Sequence, residues 1–444
     1  MQVSVETLND LERRVTVQIP AETFTKEMQD RMRSLSKTVR LDGFRKGKIP
    51  IKVIDRLYGD QVRYEVVSKL VENSLQEALV QEKLRPLDGP KIEPQPFEEG
   101  RDFAYSATFE ILPEFEPTGF EEIHIERPVA EVTEQDVDNM IETLRQQRAI
   151  WNVVERPARE GDRVRVDFEG KIDDRDFAGG KGENTNLVLG KSALLKDFEG
   201  RLLGLSAGAE IVFDLTFPAD YYAVDVAGKT ARFQVKLHAV EESHLPEVDE
   251  TFIAGFEIGD GGITALRQAL RENMERELHN GIKARVKRQV MQGLLAANPF
   301  PLPQALIAAE IENLARQMSF PPEANDEKSQ QLKTQLFEPE ARRRVALGLL
   351  VSRLAVTQQI EVDGQRVRSH LESLAASYQD PAEVLRWYEK TPRALDSVRA
   401  LVLEEQIVEW VLERAQVSAS PSTFAEIMNS VQPPTGSVRQ ESSA

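Results

Sequence analysis

The spacing of apolar residues changes character along the chain, and each change predicts a different kind of structure. Within Ser4 to Ile19 the stretch Arg14-Val15-Thr16-Val17-Gln18-Ile19 alternates strictly and is closed by Pro20, which predicts a half-buried strand. Helical periodicity follows from Ala21 to about Val39 and resumes from Pro50 to Leu84, with a break expected at Tyr58-Gly59-Asp60. Arg101 to Leu112 alternates again through Phe103, Tyr105, Ala107, Phe109 and Ile111, and is expected to pair with the first strand. Helices stacked on a small antiparallel sheet satisfy both patterns, so residues 1–112 read as one α+β domain.

Pro113-Glu114-Phe115-Glu116-Pro117 is a stiff break, and Ile123 to Pro128 is short and extended. Thr133, with Asp136 three residues on, marks the start of a helix reaching about Ile150. Residues 113–150 therefore read as a linker. In 151–245 short strands dominate: Arg163–Phe168, Asn186–Leu189, Glu210–Phe217 and Thr230–Val240. Glycines at 170, 179–180, 190, 204 and 208 read as the turns between them, giving a small antiparallel β domain with one short helix. From Pro246 to about Val417 the pattern is almost wholly helical, and the domain is taken as 246–432. Helices are expected over Thr264–Ala297, Pro303–Met318, Glu338–Ile360, Asp363–Ser377, Pro381–Glu389 and Pro392–Gln416, with prolines such as Pro303, Pro339, Pro381 and Pro392 at their boundaries. The Ser-, Pro-, Gln- and Thr-rich stretch after Ser418 is expected to lack order, and 433–444 form a tail. The fold class is thus multidomain α+β: an α+β N-terminal domain, a small antiparallel β domain, and an all-α remainder.

Composition narrows the chemistry. A chain of 444 residues is too long for one ordinary core. Its 29% charged residues indicate a heavily solvated surface, and no apolar run is long enough to span a bilayer. The start MQVSVETLND has neither a basic leader nor an apolar segment, so a cytoplasmic protein is expected. Zero cysteines exclude disulfides, thiol catalysis and thiolate metal sites. The five histidines show no ligand spacing, and no GxxxxGK[ST] phosphate loop occurs, so neither metal, cofactor nor ATP chemistry is expected.

Charge then singles out one segment. Arg31 to Arg56 carries net +7, while the rest of the chain carries −25. A cation cluster on an acidic background is an electrostatic address for a polyanion, because the rest of the surface repels phosphate. At its centre lies Gly43-Phe44-Arg45-Lys46-Gly47-Lys48-Ile49-Pro50, whose glycines and proline place the charges on an exposed turn running into a helix. Phe44, at the tip of that turn, either tucks into the core or anchors in a partner's pocket. This octapeptide resembles the ribosome-docking loop of the trigger factor family, bacterial chaperones that meet nascent chains at the tunnel exit. The resemblance extends to the order, length and composition of the whole chain. It implies docking on the ribosome through Gly43, Phe44, Arg45, Lys46, Gly47 and Lys48, with protein and rRNA at the tunnel exit as partners. Nascent and unfolded polypeptides would be the clients, and a homodimer is implied off the ribosome. It also implies that 113–150 and 246–432 together form one discontinuous helical body with two arms.

Gly161 to Gly170, Asp176-Phe177, Leu187 to Gly190, Leu195, Phe198-Glu199-Gly200 and Phe217 to Tyr222 together resemble an FKBP-type prolyl isomerase domain. The family's pocket maps onto Phe168, Phe177, Leu195, Phe198, Tyr221 and Phe233. Taken singly, each of these is equally a core residue of a small sheet. Rotation about an X-Pro bond requires only that amide resonance be broken, and the twisted amide is less dipolar than the planar one. A dry aromatic cradle that favours the twisted form, with the N–H near Leu195 and the Tyr221 hydroxyl as donors, needs no acid, base or metal. This chain departs from the family at Leu195-Lys196-Asp197, at Phe198 in place of tryptophan, and at Ala178 in place of an acid. Weak isomerase activity is therefore expected.

Client segments call for apolar strips on the helical arms, and the candidates are Met318 with Phe320 and Leu314, Leu332 with Leu336 and Phe337, and Ile307 with Ile311. Each group also suits ordinary helix packing. Two other classes compete. A stand-alone prolyl isomerase or free holdase would ignore ribosomes. A nucleic-acid-binding protein would use the basic window, but one loop against −25 elsewhere gives weak affinity for DNA or naked RNA.

Overall fold

The computed structural model describes residues 1–41, 44, 49–95, 101–190, 196–218, 221, 225–256, 261–320, 327–376 and 378–431. Along the chain it forms β1 (Gln2–Thr7), β2 (Glu12–Ile19), α1 (Ala21–Thr38), α2 (Ile51–Gln81), β3 (Lys91–Pro94), β4 (Phe103–Glu110), β5 (His124–Val129), α3 (Glu134–Gln147), β6 (Ile150–Val154), β7 (Arg163–Ile172), β8 (Arg175–Val188) and α4 (Lys196–Leu202). It continues with β9 (Glu210–Thr216), β10 (Thr230–His244), α5 (Glu250–Ala254), α6 (Gly262–Ala297), α7 (Gln304–Gln317), α8 (Glu327–Thr357), α9 (Gly364–Ala375), α10 (Pro381–Lys390), α11 (Pro392–Leu412), β11 (Gln416–Pro421) and α12 (Phe424–Val431). Two compact units result, each drawn from two stretches of chain: Met1–Ile125 with Lys287–Ser418, and Glu126–Val286 with Ala419–Ala444.

In the first unit the strands order as β1-β2-β4-β3. The expected pairing of the two alternating stretches is present, with Val15 opposite Ala107 and Val17 opposite Tyr105. Their inward residues meet Val71, Leu75 and Ala78 of α2. The earlier half of α2 turns Val62 and Val66 onto Phe24 and Met32 of α1. No break occurs at Tyr58-Gly59-Asp60, contrary to the sequence reading, and α2 runs unbroken through a buried Gly59. Glycine costs about 1 kcal/mol in a helix, and burial of Ile54, Val62 and Val66 on one face offsets that.

The stretch 113–117 is fastened. Phe115 stacks on Phe300 at 4.0 Å, and Arg353 Nε donates to the Phe115 carbonyl at 2.9 Å. Glu110, at the end of β4, caps α7 by accepting from the N–H groups of Gln304 and Ala305. Helix α8 starts at Glu327 and passes through Pro339, whereas the sequence predicted a start at Glu338. Phe337 and Ala341, four apart and flanking the proline, are both buried against α7, and this burial outweighs the missing backbone donor.

In the second unit the sheet orders as β6-β10-β7-β8, with β9 also on β10. The long β10 is its spine. It pairs with β7 on one side, and with β9 and then β6 on the other, Ile150 lying opposite His244. Helix α3 starts at Thr133 as expected, with a complete capping box between Thr133 and Asp136. Thr133→Ala removes it and is expected to cost about 1 kcal/mol, readable as a lower urea midpoint at unchanged slope. The region after Ser418 is ordered through Val431, contrary to the sequence reading. Thr423 and Glu426 form a second reciprocal cap, and Phe424 and Ile427 bury themselves among Val132, Val137, Ile141, Met274 and Leu278. Residues 433–444 lie outside the described residues.

Candidate functional site: an aromatic cradle and a basic turn

Phe233, near the start of β10, is the hub of the cradle. Its ring centroid lies 5.3 Å from Phe198, 6.1 Å from Phe213, 6.2 Å from Phe177, 6.4 Å from Phe168 and 6.5 Å from Phe217. Phe168 meets Phe198 edge-on at 5.9 Å, and Phe217 reaches Tyr221 at 4.9 Å. Edge-to-face contacts dominate, as the ring quadrupole favours. Phe198 and Phe233 are buried, while Phe168, Phe177 and Tyr221 are half-buried and give the cluster its open side. Of the six pocket residues expected, the structure joins five. Leu195, with the N–H expected to donate there, lies outside the described residues.

The glycines explain how so many rings fit. Gly170 and Gly180, read from the sequence as turns, sit inside β7 and β8, as does Gly182. A Cβ on Gly170 would come within 2.4 Å of the Phe233 ring, one on Gly182 within 2.5 Å of Phe168, and one on Gly180 within 2.9 Å of Phe177. Three pocket aromatics therefore occupy the space that a side chain would need on three strand glycines. Sequence reasoning missed both this and Phe213 and Phe217. The alternation of Phe213 and Leu215 on one face of β9, continued by Phe217 just past its end, was the available signal.

Polar contacts hold the frame. Helix α4, which carries Phe198, is tied down where the buried Glu199 accepts from the Gly190 N–H at 2.8 Å. Asp162, buried beside the cradle's first strand, accepts from both terminal nitrogens of Arg156 at 2.6 and 3.0 Å and from the Arg159 N–H at 2.8 Å. Burial pushes its carboxyl up, but Arg156 and the Arg159 N–H together hold it below the usual aspartate range. On β7, Asp167 accepts from the Asn184 N–H and bonds His238 at 2.7 Å; both lower its pKa. Outside the rings, Phe177 and the exposed Ala178 border an open cleft of about 650 Å³ with Asp176, Asp225 and Lys229. No group of His, Asp or Glu able to hold a metal occurs among the described residues. An apolar cradle of this kind accepts a proline ring and favours the twisted amide over the planar one.

In the basic window, Gly43 and Arg45–Lys48 lie outside the described residues. Phe44 is described and is 41% exposed, so its ring does not tuck into the core. Arg31 is neutralised by Glu65 and Arg33 meets Asp30. Lys37, Arg40, Lys52 and Arg56, nearer the octapeptide, have no carboxylate partner among the described residues. Of the arm candidates, Met318, Leu332 and Leu336 are exposed at 70%, 50% and 56%. Phe337, Ile307, Ile311 and Leu314 instead form a buried cluster with Phe320 packed against it, because α7 and α8 face each other there.

A sheet lined by clustered aromatics, carrying its own short helix and inserted in a largely helical chain, defines an FKBP-type peptidyl-prolyl cis-trans isomerase domain in a larger protein. Residues 154–238 match the FKBP-type isomerase family, residues 1–144 the bacterial trigger factor protein family, and 262–413 that family's C-terminal region. The trigger factor of Thioalkalivibrio sulfidiphilus is 44% identical over 97% of this chain and 98% of its own length. That of Stutzerimonas stutzeri is 44% identical over 98% and 99%. A solved structure of the trigger factor chaperone shares the fold at TM-score 0.52 and 17% identity, over 93% of this chain and 99% of that one. The chain belongs to the trigger factor family. It is accordingly a ribosome-associated chaperone with an embedded FKBP-type isomerase domain, and the stand-alone isomerase is not favoured.

Proposed function

We propose that the chain docks beside the ribosomal tunnel exit through Phe44, Arg45 and Lys46, assisted by Gly43, Gly47 and Lys48. There it contacts ribosomal protein and rRNA and shields emerging polypeptides without ATP. The observation that carries this reading is the exposed Phe44 ring in a segment flanked by cations that no described carboxylate neutralises. An exposed aromatic amid cations is the pattern of an interface anchor. The protein works in the cytoplasm, and among its described residues no helix is long and apolar enough to cross a membrane. Met318, Leu332 and Leu336 are the exposed apolar positions available to clients on α7 and α8, and a homodimer forms off the ribosome. The cradle of Phe168, Phe177, Phe198, Tyr221 and Phe233, with Leu195, binds proline peptides and turns them over slowly. The domain organisation that suits this division of labour is 1–112, 113–150, 151–245, 246–432 and 433–444.

Co-sedimentation with bacterial ribosomes tests the reading. The triple variant Phe44→Ala, Arg45→Ala, Lys46→Ala is expected to lose at least about tenfold in ribosome affinity, with circular dichroism and peptide isomerisation unchanged. Equal sedimentation of variant and wild type would remove the docking role from this turn.

A further inference from the structure

Helix α2 is 31 residues long, about 46 Å, and carries two apolar stripes. One holds Ile54, Val62 and Val66 and is buried, with Val62 and Val66 against α1. The other falls on one helix face at steps of three, four or seven: Val53, Leu57, Tyr64, Val67, Val71 and Ala78. Its C-terminal members, Val71 and Ala78, are fully used under the four-stranded sheet. Its N-terminal members run out past that packing, and there Leu57 is 54% and Tyr64 78% exposed. The same face that builds the core at one end of α2 is uncovered at the other.

Beside the uncovered end stand Lys52 and Arg56, without carboxylate partners among the described residues, while Arg63 turns to Asp60. The N-cap of α2 is Pro50, the last residue of the octapeptide, so the helix begins one residue after the docking turn and the stripe, at Val53, three residues after it. We propose that the N-terminal half of α2 is a second docking surface, and that Leu57 and Tyr64 seat on a protein component of the ribosome presenting apolar side chains bordered by carboxylates. The inference rests on the docking reading above. The cations select an acidic border. Val53 and Leu57 find no favourable contact on a sugar–phosphate backbone, and Tyr64 alone offers a ring on which a base could stack, which favours protein over RNA.

The test pairs a variant with a cross-link in the full-length chain. Leu57→Ser with Tyr64→Ser is expected to weaken ribosome co-sedimentation at least about tenfold, with isomerase activity unchanged. A photoreactive phenylalanine analogue at position 64 is expected to label a ribosomal protein. Undiminished affinity of the double variant, or an adduct to rRNA or to a second copy of this chain, overturns the proposal. If wild type binds and the triple turn variant does not, while the double variant binds like wild type, only this second surface falls. If wild type itself fails to sediment, the docking reading falls and takes the second surface with it.

Discussion

Phe233→Ala is expected to destabilise the isomerase sheet by about 4 kcal/mol and to abolish prolyl isomerisation. Five rings lean on Phe233, and the strand residue beneath it, Gly170, has no side chain with which to fill the space left behind. The sheet cannot collapse onto the hole without moving β7, so the cavity cost adds to the lost burial. Calorimetry should show one unfolding transition shifted down while the transition of the other unit stays in place. Phe233→Leu separates packing from chemistry: it restores most of the volume and should recover much of the stability but little turnover, because the aliphatic side chain no longer completes the cradle. A shift equivalent to less than about 1 kcal/mol for the alanine variant would mean that the surrounding rings close over the site and that Phe233 is not the hub.

The second large effect concerns Asp162. Replacing it with asparagine leaves Arg156 short of its best partner and is expected to cost about 3 kcal/mol, the low end for breaking a buried pair because Arg156 is partly solvated and keeps Glu242. Its folded pKa is depressed, so its stabilisation is complete above the ordinary aspartate value of about 3.9 and is lost as pH falls through the lower folded value. The gap in urea midpoint between wild type and Asp162→Asn should therefore be widest near pH 6 and shrink below about pH 4. A gap that stays constant down to pH 2.5 would exclude the carboxylate as its source.

Alternation and capping were readable from the residues because both are local. Strands β2 and β4 and the start of helix α3 all follow from side-chain period or from a Thr-x-x-Asp spacing. Where packing at a distance overrides local preference, the reading failed. Gly59 and Pro339 both look like helix ends, yet each sits within five residues of buried apolar neighbours on both sides that keep the helix going. Gly170 and Gly180 look like turns, because nothing nearby in sequence reveals that rings from β10 and β8 will lie on them. Helix α12 was hidden by its polar surroundings, although Thr423-x-x-Glu426 was present as a signal. The basic turn stood out through charge alone. The aromatic pocket was recognisable only because its residues fall in the order of a known family, since burial does not distinguish a cradle from a core.

Strand β6 closes beside the end of β10, with Ile150 opposite His244 and Arg145 donating to the carbonyl of Pro246 at 2.8 Å. The chain thus enters and leaves the isomerase module at neighbouring points, about 5 Å apart across one strand pair. Such a module behaves as a cassette. Excision from Ile150 to His244, with the gap closed by a turn of about two residues, is expected to leave the rest of the chain folded, as circular dichroism of the shortened protein would show. Catalysis and chaperoning are then separable inheritances carried on one polypeptide, each free to weaken or disappear while the other persists.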